Sequence, residues 1–283
     1  MPSTDSTVMG PAINRGPTTK EDPGISEAQV YAAIADVLDP ELDEPLVKLG
    51  FIDSVQVAGP DVTVVFKLPT YWCAPNFAYL MAADLRSKVC ALPGVRTARV
   101  MLLDHCAEDE ITTGVNMGRS FAEAFVGDVT EDEDLEDLRR IFLRKGFLMR
   151  QDVLLRQMLK VGLDEATIIN LRVADLIVDE VADIACVTTS TGTVRLENMG
   201  QKAAVYLRKG GILGLLQKAD DRLIVDDQGQ AVPPGGLQGF LRRSRSIRLN
   251  IMFNTSMCKG LFRTRYEGAG SSEAHRDQEG DMV

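Results

Sequence analysis

In residues 26–38 the apolar positions Val30, Ile34, Val37 and Leu38 share one helical face. Ser26 suits the N-cap of that helix and Glu27 its first turn. Asp39-Pro40-Glu41 ends it, because the residue before a proline avoids the helical region. The pattern then becomes strand-like. Residues 51–57 and 62–68 are rich in β-branched and apolar residues, and the turn Gly59-Pro60-Asp61 joins them as a hairpin. Helical spacing returns in residues 76–90, with Phe77, Leu80, Met81, Leu85 and Val89. Pro93-Gly94 marks a turn, and residues 95–103 read as a third strand. The order α-β-β-α-β predicts a small α+β domain with helices packed on a short sheet.

Beyond residue 103 the pattern is less regular. Gly114-Val115-Asn116-Met117-Gly118-Arg119 reads as a loop with residues suited to left-handed turn positions, and it lacks the Gly-Lys-Ser/Thr ending of a P-loop. Ser120-Phe121-Ala122-Glu123 is a capping box that opens a short helix. The acidic run Glu131-Asp132-Glu133-Asp134 reads as a linker, so the domain boundary is placed near residue 129. Residues 135–147 and 151–161 read as two helices with Gly162 as a C-cap, and Asp164 caps a further short helix ending at Leu171. Val187-Thr188-Thr189 and Thr193-Val194-Arg195 form strands around Gly192. Residues 223–225 and 231–232 flank a second hairpin turn. The expected organisation is a disordered tail over 1–24, an α+β domain over 25–129, a mixed, partly helical partner-binding domain over 130–267, and a disordered tail over 268–283.

Composition narrows the function. A formal net charge of -10 argues against a general nucleic-acid binder, which is normally basic. No apolar run approaches the ~20 residues needed to span a bilayer. Residues 1–23 lack the charged-then-apolar signal pattern, so the chain reads as cytoplasmic. The five cysteines are widely spaced and form no C-x-x-C. That argues against a disulfide framework and against a self-contained zinc ribbon. There are two histidines, and His275 lies in the polar tail.

Cys73 is the first candidate for chemistry. It stands at a strand-to-helix junction, where unpaired N–H groups and the helix dipole favour the thiolate that attacks electrophiles and binds metals. His105 and Cys106 follow the third strand. On an extended segment their side chains point apart, so one of them can face Cys73; the alternative is a histidine bonded to backbone beside a buried cysteine. Cys90 is expected in the core, and nothing near Cys186 or Cys258 gives ligand spacing. Asp39 and Glu41 could act as acid–base groups or hard ligands, or Asp39 could simply cap a turn. Arg242, Arg243, Arg245 and Arg248 open a basic stretch that continues through Lys259, Arg263 and Arg265. Aromatic interleaving is too irregular there for a nucleic-acid platform, which favours a solvated face or one that meets the acidic linker or an acidic partner.

Several of these features together resemble a known family. Asp39-Pro40-Glu41, then Leu49-Gly50-Phe51-Ile52, then Val55-Gln56-Val57, then Thr70 and Cys73 ahead of a helix, resemble the SufT/PaaD-type metal–sulfur cluster assembly domain (domain of unknown function 59) over roughly residues 25–125. Glu44-Pro45 departs from the family pattern. The resemblance implies that Cys73 is the family cysteine and that Asp39, Glu41 and Thr70 shape the surface beside it. It implies a maturation factor for an iron–sulfur or diiron client, with the PaaD branch pointing to an oxygenase. Cys73 would be a transient ligand for iron, an iron–sulfur cluster or zinc. One thiolate is too few for a stable site. The other ligands would come from Cys73 of a second copy in a homodimer, from His105 and Cys106, or from the client. Two alternatives stand beside this reading: a metal-free scaffold or folding chaperone for a multi-subunit oxygenase, and a thiol enzyme with Cys73 as nucleophile and His105 as base.

Overall fold

The computed structural model describes residues 24–126 and 135–267. The boundary expected near residue 129, the acidic run 131–134, and the tails apart from Gly24 lie outside the described residues. The chain is α+β, as its periodicity predicts. Helix α1 (Glu27–Ile34) opens with a capping box: Ser26 Oγ accepts from the Gln29 N–H at 3.3 Å, and Gln29 Oε1 accepts from the Ser26 N–H at 2.8 Å. The helix stops short of Leu38, because β1 (Leu38–Asp39) pairs with β2 (Glu44–Pro45) across the Asp39-Pro40-Glu41 turn. A short helix, α2 (Leu46–Leu49), is closed by Gly50 at φ 77°, a conformation glycine adopts without Cβ strain.

Strands β3 (Ile52–Ala58) and β4 (Asp61–Lys67) form the predicted antiparallel hairpin. Helix α3 (Pro75–Cys90) then crosses the sheet, and β5 (Thr97–Leu103) pairs parallel to β4, giving the order β3-β4-β5. The central strand is therefore the apolar one: Val62, Val64 and Phe66 are buried under α1 and α3.

Two local expectations change. The segment carrying His105 and Cys106 is a turn, introduced by Asp104 at φ 57°, so the two side chains are not fixed in opposite directions by strand geometry. The supposed loop 114–119 belongs mostly to α4 (Glu108–Met117). Gly114 sits inside that helix because a Cβ there would lie 2.6 Å from Ala124 Cβ, and Gly118 at φ 70° ends it. Helix α5 (Phe121–Ala124) begins at the capping box read from Ser120 and Glu123.

The second half starts with α6 (Leu135–Lys160), one continuous helix where two were expected. Gln151 and Asp152, expected to open the second helix, are buried and paired inside this one. Gln151 accepts from the Val225 N–H at 3.0 Å and donates to the Val225 carbonyl at 2.7 Å. The Asp152 carboxylate is held by Arg156, by Arg248 and by the Ser244 hydroxyl. Helix α7 (Glu165–Asn170) is capped by Asp164, as predicted. Strands β6 (Leu176–Asp179), β7 (Ile184–Thr189) and β8 (Gly192–Glu197) make an antiparallel meander, followed by α8 (Gly200–Ile212) and α9 (Leu237–Phe262).

Two clusters of buried apolar side chains result. One is centred on the β3-β4-β5 sheet. The other joins α6, α8, the meander and the first half of α9, with Phe147 stacked on Tyr206. Helix α9 contributes to both: Leu237, Phe240 and Leu241 lie in the second cluster, while Cys258 and Phe262 pack on the first. Among the described residues no helix is long and apolar enough to cross a membrane.

Candidate functional site

Cys73 stands two residues ahead of α3, half-buried, with its sulfur 3.1 Å from Thr70 Oγ1. The loop that carries it is pinned by backbone bonds. The Cys106 N–H donates to the Tyr71 carbonyl at 2.8 Å, and His105 Nε2 lies 2.7 Å from the Cys73 carbonyl oxygen. The Ala107 N–H donates to His105 Nδ1 at 3.1 Å, so Nδ1 is the acceptor and Nε2 carries the proton. Both ring nitrogens of this buried histidine are thus committed to backbone, leaving neither lone pair nor proton for the Cys73 sulfur. Burial is the main cause that pushes the His105 pKa below the usual imidazole range and keeps it neutral. His105 is a positioning group for the Cys73 loop. Cys106 is exposed, and the neighbouring Tyr71 and Trp72 are exposed as well, Trp72 at 76%.

The acidic turn is built from the inside. Asp39 Oδ1 accepts from the N–H groups of Glu41 (2.9 Å) and Leu42 (3.0 Å), the turn-capping geometry weighed from the sequence. Burial pushes the Asp39 carboxyl up to about 6, against the lowering effect of those two bonds. Asp43 closes the turn in the left-handed region, at φ 54°, and is 3% exposed. Its carboxylate lies between Arg150 Nε of α6 at 2.7 Å and Lys209 Nζ of α8 at 2.5 Å. Arg150 also donates to the Asp43 carbonyl. Gly146 makes this approach available, since a Cβ there would stand 2.6 Å from Asp43 Oδ1. The second half of the chain therefore grips the turn from two helices.

Helix α9 supplies the third grip. Asn254 Nδ2 donates to Glu41 Oε1 at 3.1 Å, so Glu41 is tied rather than freely solvated. Two turns later the Phe262 ring meets Phe51 at 5.1 Å between centroids. Just beyond the helix, Arg265 donates to the carbonyls of Asp104 (2.8 Å) and Leu68 (3.3 Å), and the Tyr266 hydroxyl donates to Leu68 at 3.3 Å. Cys258 lies between Asn254 and Phe262 at i+4 spacing, on the same face. Its thiol is pushed up to about 11, first by burial and then by Asp39, Cys73 and Glu41. Three groups named from the sequence thus act electrostatically on a cysteine that the sequence left without ligand spacing. The Asn254–Cys258–Phe262 face was available in the sequence, but nothing there named its landing place.

The remaining candidates separate from this site. Cys90, expected in the core, is exposed at the end of α3, and Cys186 lies in β7 of the other sheet. Arg248 is an internal ion-pair partner of Asp152 at 2.6 Å, whereas Arg242, Arg243 and Arg245 are exposed on α9. Among the described residues no three His, Cys, Asp or Glu side chains stand together closely enough to hold a metal ion.

No curated protein matches the chain. Residues 27–101, the segment that carries the acidic turn, the β3-β4 hairpin and Cys73, match a family model described as iron–sulfur cluster assembly protein, which supports a role in iron–sulfur assembly or maturation.

Proposed function

We propose that this chain is a maturation factor that presents Cys73 as a transient sulfur ligand to iron or an iron–sulfur cluster on its way to a client metalloprotein. The observation that carries the reading is the placement of Cys73 inside the matched segment, at a rim whose backbone is fixed by His105 while the sulfur itself contacts a hydroxyl. Cys258, whose thiol feels the charge of Cys73, is the candidate for a second sulfur donor. Two thiols fall short of the four ligands that hold a cluster permanently, which suits a cargo that must leave. The client completes the coordination and then takes the cargo. The SufT/PaaD branch and its oxygenase client rest on the sequence resemblance alone; no residue of the site speaks for an oxygenase in particular.

The scaffold alternative makes no use of the thiols, and the thiol-enzyme alternative needs His105 as a base. The commitment of both imidazole nitrogens to backbone weighs against the latter. The test is anaerobic reconstitution with ferrous iron and sulfide, followed by iron, sulfide and absorbance measurements on the wild type, Cys73→Ser and Cys258→Ser. Cys73→Ser should fall to the blank and Cys258→Ser to an intermediate, more labile level. Equal iron and sulfide in the wild type and Cys73→Ser would sink the cluster reading and leave the scaffold.

A further inference from the structure

Helix α9 carries an apolar ridge on the side facing away from both cores. Leu249, Phe253, Met257 and Leu261 follow one another at i+4 spacing and are 45%, 67%, 48% and 42% exposed, with exposed Met252 alongside. Isolated surface apolar residues need no explanation, but a continuous row over three turns does. The opposite face of the same helix is occupied by Phe240, Ile251, Cys258 and Phe262, so the ridge is not a stretch of misjudged core.

The charges around it name the kind of partner. From Leu237 to Tyr266 the chain contains seven lysines and arginines and no acidic residue. Arg248 and Arg265 are used internally. Arg242 and Arg245 stand ahead of the ridge, and Lys259 and Arg263 lie near its C-terminal end on another face of the helix, with no ion pair among the described residues. A second copy docking ridge to ridge would set cations against cations in either direction, which disfavours self-association through this face. A single exposed row leaves little apolar area to insert into a membrane.

We infer that the α9 ridge is the docking site for an amphipathic helix of a protein partner, with an apolar stripe at helical spacing and acidic flanks. The exposed methionines suit a surface that adapts to more than one such helix. The ridge shares its helix with Cys258, which lies on the opposite face. Identifying that partner with the client rests on the maturation reading; the surface chemistry does not.

The test uses the full-length, metal-free chain and a fluorescently labelled synthetic peptide helix with leucines at i, i+4 and i+7 and glutamates flanking them. A peptide of the same pattern with lysines is the control. Anisotropy should report binding of the acidic peptide alone, weakening as salt screens the charges. Phe253→Ser combined with Met257→Ser should lower affinity at least about tenfold, as expected for anchor residues. These side chains are exposed, so the variant should keep its circular dichroism. Arg245→Glu with Arg263→Glu, which leaves the ridge intact, should also weaken binding. Equal binding of both peptides, no binding, or binding indifferent to the ridge substitutions would overturn the proposal. So would a dimer in sedimentation that the ridge substitutions dissolve, or ridge-dependent uptake by phosphatidylserine vesicles. Iron and sulfide retention on the same variants reads the cysteine site separately, so either idea can fail without the other.

Discussion

Asp39 gives the sharpest quantitative test of the site's architecture. Its carboxyl is raised from 3.8 to about 6, with burial as the leading cause. A gap of roughly two units corresponds to about 3 kcal/mol between the protonation states. Because the folded-state pKa is the higher one, the folded protein binds this proton more tightly than the unfolded chain. The group's stabilising contribution is therefore fully present below the unfolded value, and is lost as pH rises through about 6. Between about pH 7.5 and about pH 5, lowering the pH should add about 1.4 kcal/mol to unfolding free energy through Asp39 alone. His105 works in the opposite direction in the same window. Its pKa is lowered by burial, so stability is lost as pH falls through the usual imidazole value. Asp61, Glu123, Asp164 and Asp221 are shifted downward and titrate below the window. The assay is urea unfolding across that range for the wild type and Asp39→Asn. The histidine effect is common to both proteins and cancels in the difference. The difference should change by about 1.4 kcal/mol across the window. Parallel profiles would refute the claim that this carboxyl is buried under the acidic turn.

Asp43→Ala should cost about 3–5 kcal/mol in denaturant unfolding, because it leaves Lys209 buried without a counter-charge and half-buried Arg150 with only Glu44 at 4.0 Å. Adding Lys209→Met should recover part of that loss, and a cost under about 1 kcal/mol for the single variant would argue against the clamp. Gly200→Ala drives a Cβ to 2.1 Å from the Asp179 carbonyl and 2.5 Å from the Ile184 nitrogen, backbone atoms that cannot swing aside; thermal unfolding should show a loss of about 1–3 kcal/mol or more. Gly211→Ala, on the same helix but facing open space, should instead be neutral or slightly stabilising, by at most about 0.5–1 kcal/mol. Gln151→Leu strips partners from the Val225 N–H and carbonyl, while the Tyr206 hydroxyl keeps the Leu223 carbonyl, and should cost about 2–4 kcal/mol by urea titration.

The α-β-β-α-β order was legible because each of its signals is local. The Ser26 and Ser120 capping boxes, the Asp164 cap, the hairpin at Gly59-Pro60-Asp61 and the spacing of Leu80, Met81 and Leu85 are all settled within a few residues of chain. Sequence reasoning failed where a local signal was outweighed by packing. Residues 148–150 read as a gap between two helices, yet α6 runs through them, and the adjacent Gln151 and Asp152 are buried where Val225, Ser244 and Arg248 come from far along the chain to meet them. Gly114 and Gly118 looked like a loop, yet only Gly118 is a turn residue; Gly114 is a glycine for lack of room beside Ala124.

By itself the sequence determined that Cys73 follows a buried strand and precedes a helix, next to an acidic turn. Those relations depend on neighbours within one small domain. Only the tertiary structure decided what faces that cysteine. Amphipathicity tells a helix which side to bury and says nothing about the surface it is buried against. The landing of α9 therefore brought Asn254 to Glu41 across 213 residues of sequence and packed Cys258 and Phe262 on the first core. That is a long-range choice made by shape and charge, and no periodicity records it.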